Sequence, residues 1–166
     1  MNRMRTLLLK IALLGMATVL GGNAGATTWN AFNLALNEDF ALYFFDADTV
    51  VKQGNDVTLW VKFVRTKAAS SDGSWQFAIK YVISCPQRTT QILTFSAYAR
   101  NGNFIRSRSA PPLVVNITPD SIMEAMHEAI CTPDFPRNTS QDFYIPVPDN
   151  DPVAHTRRFI ERRKAN

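Results

Sequence analysis

The chain has 166 residues, 46% of them hydrophobic, with two cysteines and a formal charge of +4, which fits a leader followed by one domain with a core of its own. The positive balance is uneven. Arg3, Arg5 and Lys10 stand in the first ten residues and Arg157, Arg158, Arg162, Arg163 and Lys164 near the end, while the body between is slightly acidic. A nucleic-acid binder spreads basic residues across a face of its fold, so nucleic acid is excluded as the expected partner.

Residues 1–26 carry the three parts of a cleavable secretory signal peptide: a charged start without an acid, an apolar run from Ile11 to Leu20, and the small-x-small site Ala24-Gly25-Ala26. Removing it leaves about 140 residues with a charge of about +1. A membrane anchor is the competing reading. Spanning takes about 20 apolar residues, however, and Lys10 interrupts the run even when it is counted from Thr6. No cysteine lies near the cleavage site to carry a bacterial-type lipid. The expected location is outside the cytoplasm: periplasmic, secreted or cell-surface associated, without a lipid anchor.

The first β-prone run is residues 41–45, ending at Asp46, and Thr49 to Lys52 is a second. Gln53-Gly54-Asn55-Asp56 marks a tight turn. From Val57 the chain alternates, with Val57, Leu59, Val61 and Phe63 on one face and Thr58, Trp60 and Lys62 on the other, the period of a half-buried strand. Another strand opens at Trp75 and puts Phe77, Ile79, Tyr81 and Ile83 on one face, with Cys85 in phase. A strand from about Thr90 to Tyr98 is followed by Asn101-Gly102 and then Phe104-Ile105, a strong hairpin signal.

The pattern changes at Thr118. Thr118-Pro119-Asp120 predicts an N-cap, a proline at the first helical position and an acid near the positive helix end. Ile122, Met126, Ala129 and Ile130 recur at helical spacing, Glu124 and Glu128 face away, and Pro133 limits the helix. Two thiols in an exported protein are most simply one disulfide, with a reactive or metal-binding pair as the alternative. A bridge between Cys85 and Cys131 would contribute about 4 kcal/mol in the chain-entropy model. Ideal helical phase puts Cys131 off the apolar stripe, so the last turn is expected to unwind to let it reach Cys85.

Residues 132–152 hold five prolines and read as extended chain that wraps the body or dangles from it. Arg157 to Lys164 reads as a short basic helix. Three segments result: a signal peptide at 1–26, an α+β domain of several antiparallel strands followed by one helix at 27–131, and a Pro-rich extension with a basic tail at 132–166.

Catalytic chemistry is sparse. Glu124 and His127 form one i, i+3 carboxylate–imidazole pair, whereas di-metal sites need two copies and further carboxylates. These residues are expected on the solvent face, and His155 in a Pro-flanked tail. No serine triad, phosphate loop or His-Glu-x-x-His run is present. The expectation is no catalytic residues, no metal and no cofactor. Most aromatics are expected in the core. Trp60 is the exception, since its strand phase opposes the Val57–Phe63 face, and with Lys62 beside it forms the candidate interface. A flat face with Trp60 exposed favours a protein partner; a cleft with converging polar groups favours a small ligand. The cations Arg157, Arg158, Arg162, Arg163 and Lys164 are either a solvated tail or a weak contact for an anionic surface, meaning lipid headgroups or an acidic partner.

Several segments together resemble the surface-adhesin protein E family of Gram-negative bacteria. They are Tyr43-Phe44-Phe45-Asp46 with Asp48-Thr49-Val50, then Val57-Thr58-Leu59-Trp60-Val61-Lys62 after a turn. The strand ending in Cys85, the strand-turn from Tyr98 to Gly102, and Ile117-Thr118-Pro119-Asp120-Ser121 leading a helix to Cys131 complete the set. The resemblance spans about Trp29 to Cys131. It implies a twisted antiparallel sheet of about five to six strands, a helix packed on it, and a Cys85–Cys131 disulfide. It also implies kinship with a surface protein that binds host extracellular-matrix components. The Pro-rich basic extension and the missing lipid-anchor cysteine depart from the pattern. The expected function is an exported, non-enzymatic, adhesin-like module contacting a host-matrix or cell-envelope protein. The alternative is a periplasmic small-ligand carrier with an aromatic pocket.

Overall fold

The structure, a computed structural model, describes residues 27–35, 41–66, 71–132, 143–144 and 146–165. The expected signal peptide lies outside the described residues, as does much of the Pro-rich segment. Eight strands are described: β1 (Trp29–Ala35), β2 (Ala41–Asp46), β3 (Val51–Gln53), β4 (Asp56–Arg65), β5 (Gln76–Ser84), β6 (Thr89–Tyr98), β7 (Phe104–Ser109) and β8 (Val114–Asn116). Two helices follow, α1 (Ile122–Cys131) and α2 (Pro152–Ala165). The strands form one antiparallel sheet in the order β1-β2-β4-β5-β6-β7, with β3 paired to β4 and β8 to β6.

The alternation in β4 and β5 builds both layers of the core. Val57, Leu59 and Val61 of β4 join Ile79, Tyr81 and Ile83 of β5, and α1 closes this face with Met126 and Ile130. Phe63, Phe77 and Phe95 continue it as a row of rings, with centroids 4.6 Å and 5.3 Å apart. The opposite face carries Leu42, Phe44 and Val64, and there Phe159 of α2 completes a second cluster with Trp29, Ala31 and Val147. The α+β class, the antiparallel sheet and the packed helix are as the sequence indicates. The sheet has more strands than expected, and a second helix partly covers the face opposite α1.

Cys85 and Cys131 are bonded, with their Cα atoms 5.5 Å apart. The expected unwinding of the last turn does not occur. Cys131 remains helical, and the Thr132 N–H, just beyond it, donates to the Glu128 carbonyl at 3.2 Å. The sulfur reaches the sheet because the helix end itself lies beside Cys85, fixed there by His127, whose Nε2 is 2.9 Å from the Cys85 carbonyl oxygen. The start of α1 is also corrected. Asp120 takes a left-handed conformation (φ 58°), which makes Thr118-Pro119-Asp120 a turn rather than a first helical turn. Ser121 is the N-cap: its Oγ accepts from the Glu124 N–H at 3.2 Å, while Glu124 reaches back to the Asp120 N–H.

The β6–β7 hairpin turns at Asn101-Gly102, where Gly102 has φ +87°. The described part of the extension lies against the body. The Tyr144 N–H donates to the Ala31 carbonyl and the Val147 N–H to the Trp29 carbonyl, so the outer edge of β1 is covered. The basic terminus is likewise ordered. Asp151 caps α2 by accepting from the Val153 and Ala154 N–H groups at 3.0 Å each, with Pro152 at the first helical position. His155, Thr156 and Phe159 recur at helical spacing and face the sheet. The solvated-tail reading therefore gives way to a docked helix.

Candidate functional site

Trp60 and Lys62 alternate with core residues on β4, so both project from the face that α2 partly covers. Trp60 is half-buried rather than exposed, because Trp29 and α2 build up the surface around it. Together with Thr49, Gln76 and Tyr98, these two residues line a cleft of about 380 Å³. The cleft is held in shape by hydrogen bonds from below and from the sides. The Trp60 N–H donates to Thr49 Oγ1 at 3.1 Å, and Thr49 in turn donates to the Asp46 carbonyl at 3.0 Å. Asp46, 1% exposed, accepts from the Thr28 and Asp48 N–H groups at 3.2 Å each. Gln76 donates to the Ala99 carbonyl at 3.0 Å and so fixes the hairpin wall.

Lys62 is the electrostatic centre of this cleft. Its ammonium lies 4.5 Å from the centroid of the Trp29 ring, close enough for a cation–π contact. Burial lowers its pKa below the ordinary lysine value, although Asp151 and Asp46 pull the other way. Asp46 is shifted in the opposite sense: burial raises its carboxyl above the usual aspartate value, despite the two backbone N–H donors and Lys62. A cation kept in a partly dry, aromatic surround costs stability and is poised for an anionic group of a ligand.

The structure separates the other candidate residues. His127 is buried on α1 and directed to the Cys85 carbonyl, whereas Glu124 pairs with Arg88 and caps the helix; the expected solvent-facing Glu124–His127 pair is thus taken apart. His155, placed in a Pro-flanked tail by the sequence, is buried on α2, edge-on to Phe44 at 6.0 Å between centroids. Among the described residues, no three His, Cys, Asp or Glu side chains gather as a metal site requires. Arg157, Arg158, Arg162, Arg163 and Lys164 are exposed along α2, and Arg163 lies over the Phe159 ring at 5.4 Å. Phe159 itself faces the sheet, so the helix has no phenylalanine edge left to insert into lipid. No described helix is long and apolar enough to cross a membrane.

Sequence reasoning missed Trp29, Asp46, Gln76 and Asp151 as parts of the cleft's surround. Trp29 belongs to a strand whose bulge between Ala31 and Asn33 breaks the period-two signal. The Asp151-Pro152 pair was a legible helix start.

Residues 29–132 match the family described as surface-adhesin protein E. Two solved structures of Haemophilus influenzae protein E are similar, each at 11% identity. One, in crystal form II, has a TM-score of 0.44 and covers 61% of this chain and 87% of its own. The other, from a non-typeable strain, has a TM-score of 0.45 and covers 80% of this chain and 89% of its own. No curated protein matches. With its matched span reaching from the first strand to the residue after Cys131, the chain belongs to the surface-adhesin protein E family.

Proposed function

We propose that the protein is an exported, non-enzymatic binding module that holds a protein partner, a host-matrix or cell-envelope component, at the cleft around Trp60 and Lys62. The observation that carries this reading is Lys62 itself, a cation retained at a cost in burial over the Trp29 ring at an accessible hollow. Membership of a family of surface adhesins supports it. The module acts from the periplasm or beyond, and the cations of α2 add weak attraction to anionic surfaces. The test is surface plasmon resonance of the mature chain against a panel of purified matrix proteins and solubilised envelope proteins. Saturable binding to a panel member, weakened at least about tenfold by Trp60→Ala and by Lys62→Met but not by Lys52→Ala on exposed β3, is expected. Equal binding by all variants sinks the assignment of the cleft.

A second reading has its own observation. The cleft brings Lys62, Thr49, Gln76 and two tryptophans together, and its volume lies in the range of small-ligand sites. Native mass spectrometry of protein purified from its own compartment separates the two. A stoichiometric small molecule lost in Trp60→Ala favours a carrier.

A further inference from the structure

A second hollow, of about 200 Å³, lies where α2 meets the end of the sheet. Val153, Arg157, Ile160 and Lys164 form one wall, a single stripe at helical spacing, and Trp75 and Arg100 stand across from them. The Arg100 guanidinium sits over the Trp75 ring, 4.9 Å from its centroid. Arg157 and Lys164 are exposed and two turns apart, about 10.5 Å along the axis. That length matches about three residues of extended chain. Glu161 is the one acid in the lining. Cations held on a concave, partly apolar wall focus positive potential into it.

The occupant must satisfy two requirements. It carries negative charge to meet Arg100, Arg157 and Lys164, and it carries apolar groups to cover Val153, Ile160 and the Trp75 ring. A bilayer surface is too flat to enter such a groove. A sulfated polysaccharide supplies charge without apolar side chains, and its dense anions would meet Glu161. A peptide whose acids are interrupted by aliphatic residues meets both requirements, since it can set an uncharged residue against Glu161. We infer that this groove receives an acidic segment of a protein partner, seated over about three residues with aliphatic side chains between its carboxylates. The inference rests on the protein-binding reading above and specifies the chemistry of the partner.

The experiment uses the mature chain and a fluorescein-labelled hexapeptide alternating glutamate and leucine, followed by anisotropy at low salt. Matched peptides alternating glutamine with leucine, and glutamate with glycine, probe the two requirements separately. Binding of the glutamate–leucine peptide is expected, with both matched peptides weaker. Replacing Arg157 and Lys164 together by serine should weaken it about fivefold or more, by loss of two partly exposed charge pairs. Circular dichroism checks that the double variant is folded. Arg157→Lys keeps the charge and should keep most of the affinity, whereas Glu161→Gln should tighten binding. Rising salt should weaken it. Equal affinity of the double serine variant overturns the inference. So does groove-dependent binding of a heparin hexasaccharide, or of phosphatidylglycerol vesicles, that exceeds binding of the peptide. If the peptide fails to bind while a panel protein still attaches through Trp60 and Lys62, the groove loses its assignment and the binding-module reading stands.

Discussion

Replacing Phe159 by alanine tests whether α2 is part of the fold. Phe159 is 7% exposed, packs among Trp29, Leu42, Phe44 and Val64, and has the Phe143 ring 6.0 Å away. Phenylalanine-to-alanine changes in cores cost about 3–5 kcal/mol. A surface helix can settle partway into the space left, so the low end, about 3 kcal/mol, applies here. For a chain of about 140 residues that is a fall in Tm of about 10 °C. Urea melts followed by circular dichroism provide the assay, with Arg158→Ala, on the exposed side of α2, expected to stay within about 0.5 kcal/mol of the parent. Ending the chain at Asp151 removes Phe159 together with buried His155 and Thr156, and should cost at least as much. A loss below about 1 kcal/mol for Phe159→Ala, or an unchanged Tm on truncation, would refute the reasoning and return α2 to a solvated tail.

Three further outcomes are expected. Cys131→Ser should lower stability by about 2–5 kcal/mol, and non-reducing peptide mapping of the parent should find Cys85 and Cys131 joined. Lys62→Met should raise stability at neutral pH. Because burial lowers the folded-state pKa of Lys62, the unfolded chain binds the extra proton between that lowered value and the ordinary 10.5, so parental stability rises with pH through this window. The gain from Lys62→Met should shrink as the pH approaches 10.5, and a constant gain across guanidine melts from pH 7 to pH 10.5 would show another cause. Asp151→Ala should cost about 1 kcal/mol by removing the α2 cap, read as a lower urea midpoint, and a cost near zero would mean that the two N–H bonds are replaced by water.

Much of the fold was legible because β4 and β5 obey a strict period of two. Their alternation predicts which side chains meet α1, the phase of Cys85, and the projection of Trp60 and Lys62 from the other face. Three features escaped for physical reasons. The bulge in β1 returns Leu34, rather than Asn33, to the face of Trp29 and Ala31, so the alternation that runs through Phe32 does not continue along the strand. The start of α1 was set by the Ser121-x-x-Glu124 pair, which competes with Thr118-Pro119 and wins because Asp120 turns left-handed. The burial of His155 and Phe159 depends on where α2 lies against the sheet, a tertiary fact that a run of cations conceals. Trp60 kept its face but not its exposure, since local phase is silent about what a distant helix brings alongside.

The way the chain closes decides where it would yield to a pull. The first strand meets the segment that leads into α2: the Trp29 N–H donates to Asn150 Oδ1 at 3.0 Å, and the Val147 N–H to the Trp29 carbonyl at 2.8 Å. A pull on the two ends of the described chain therefore lifts α2 from β2 and β4 and then acts on this seam, parting the Val147 segment from β1. Beyond it, the force meets Cys85–Cys131, which are 46 positions apart. Roughly 150 Å of contour, at 3.3–3.6 Å per residue, stays locked behind the covalent bond, including β6, β7, β8 and α1. The protein is thus divided mechanically into a releasable rim, which contains Trp29 of the cleft and the α2 wall of the basic groove, and a tether that cannot lengthen between its cysteines. A load would open both hollows while that half of the sheet remains linked.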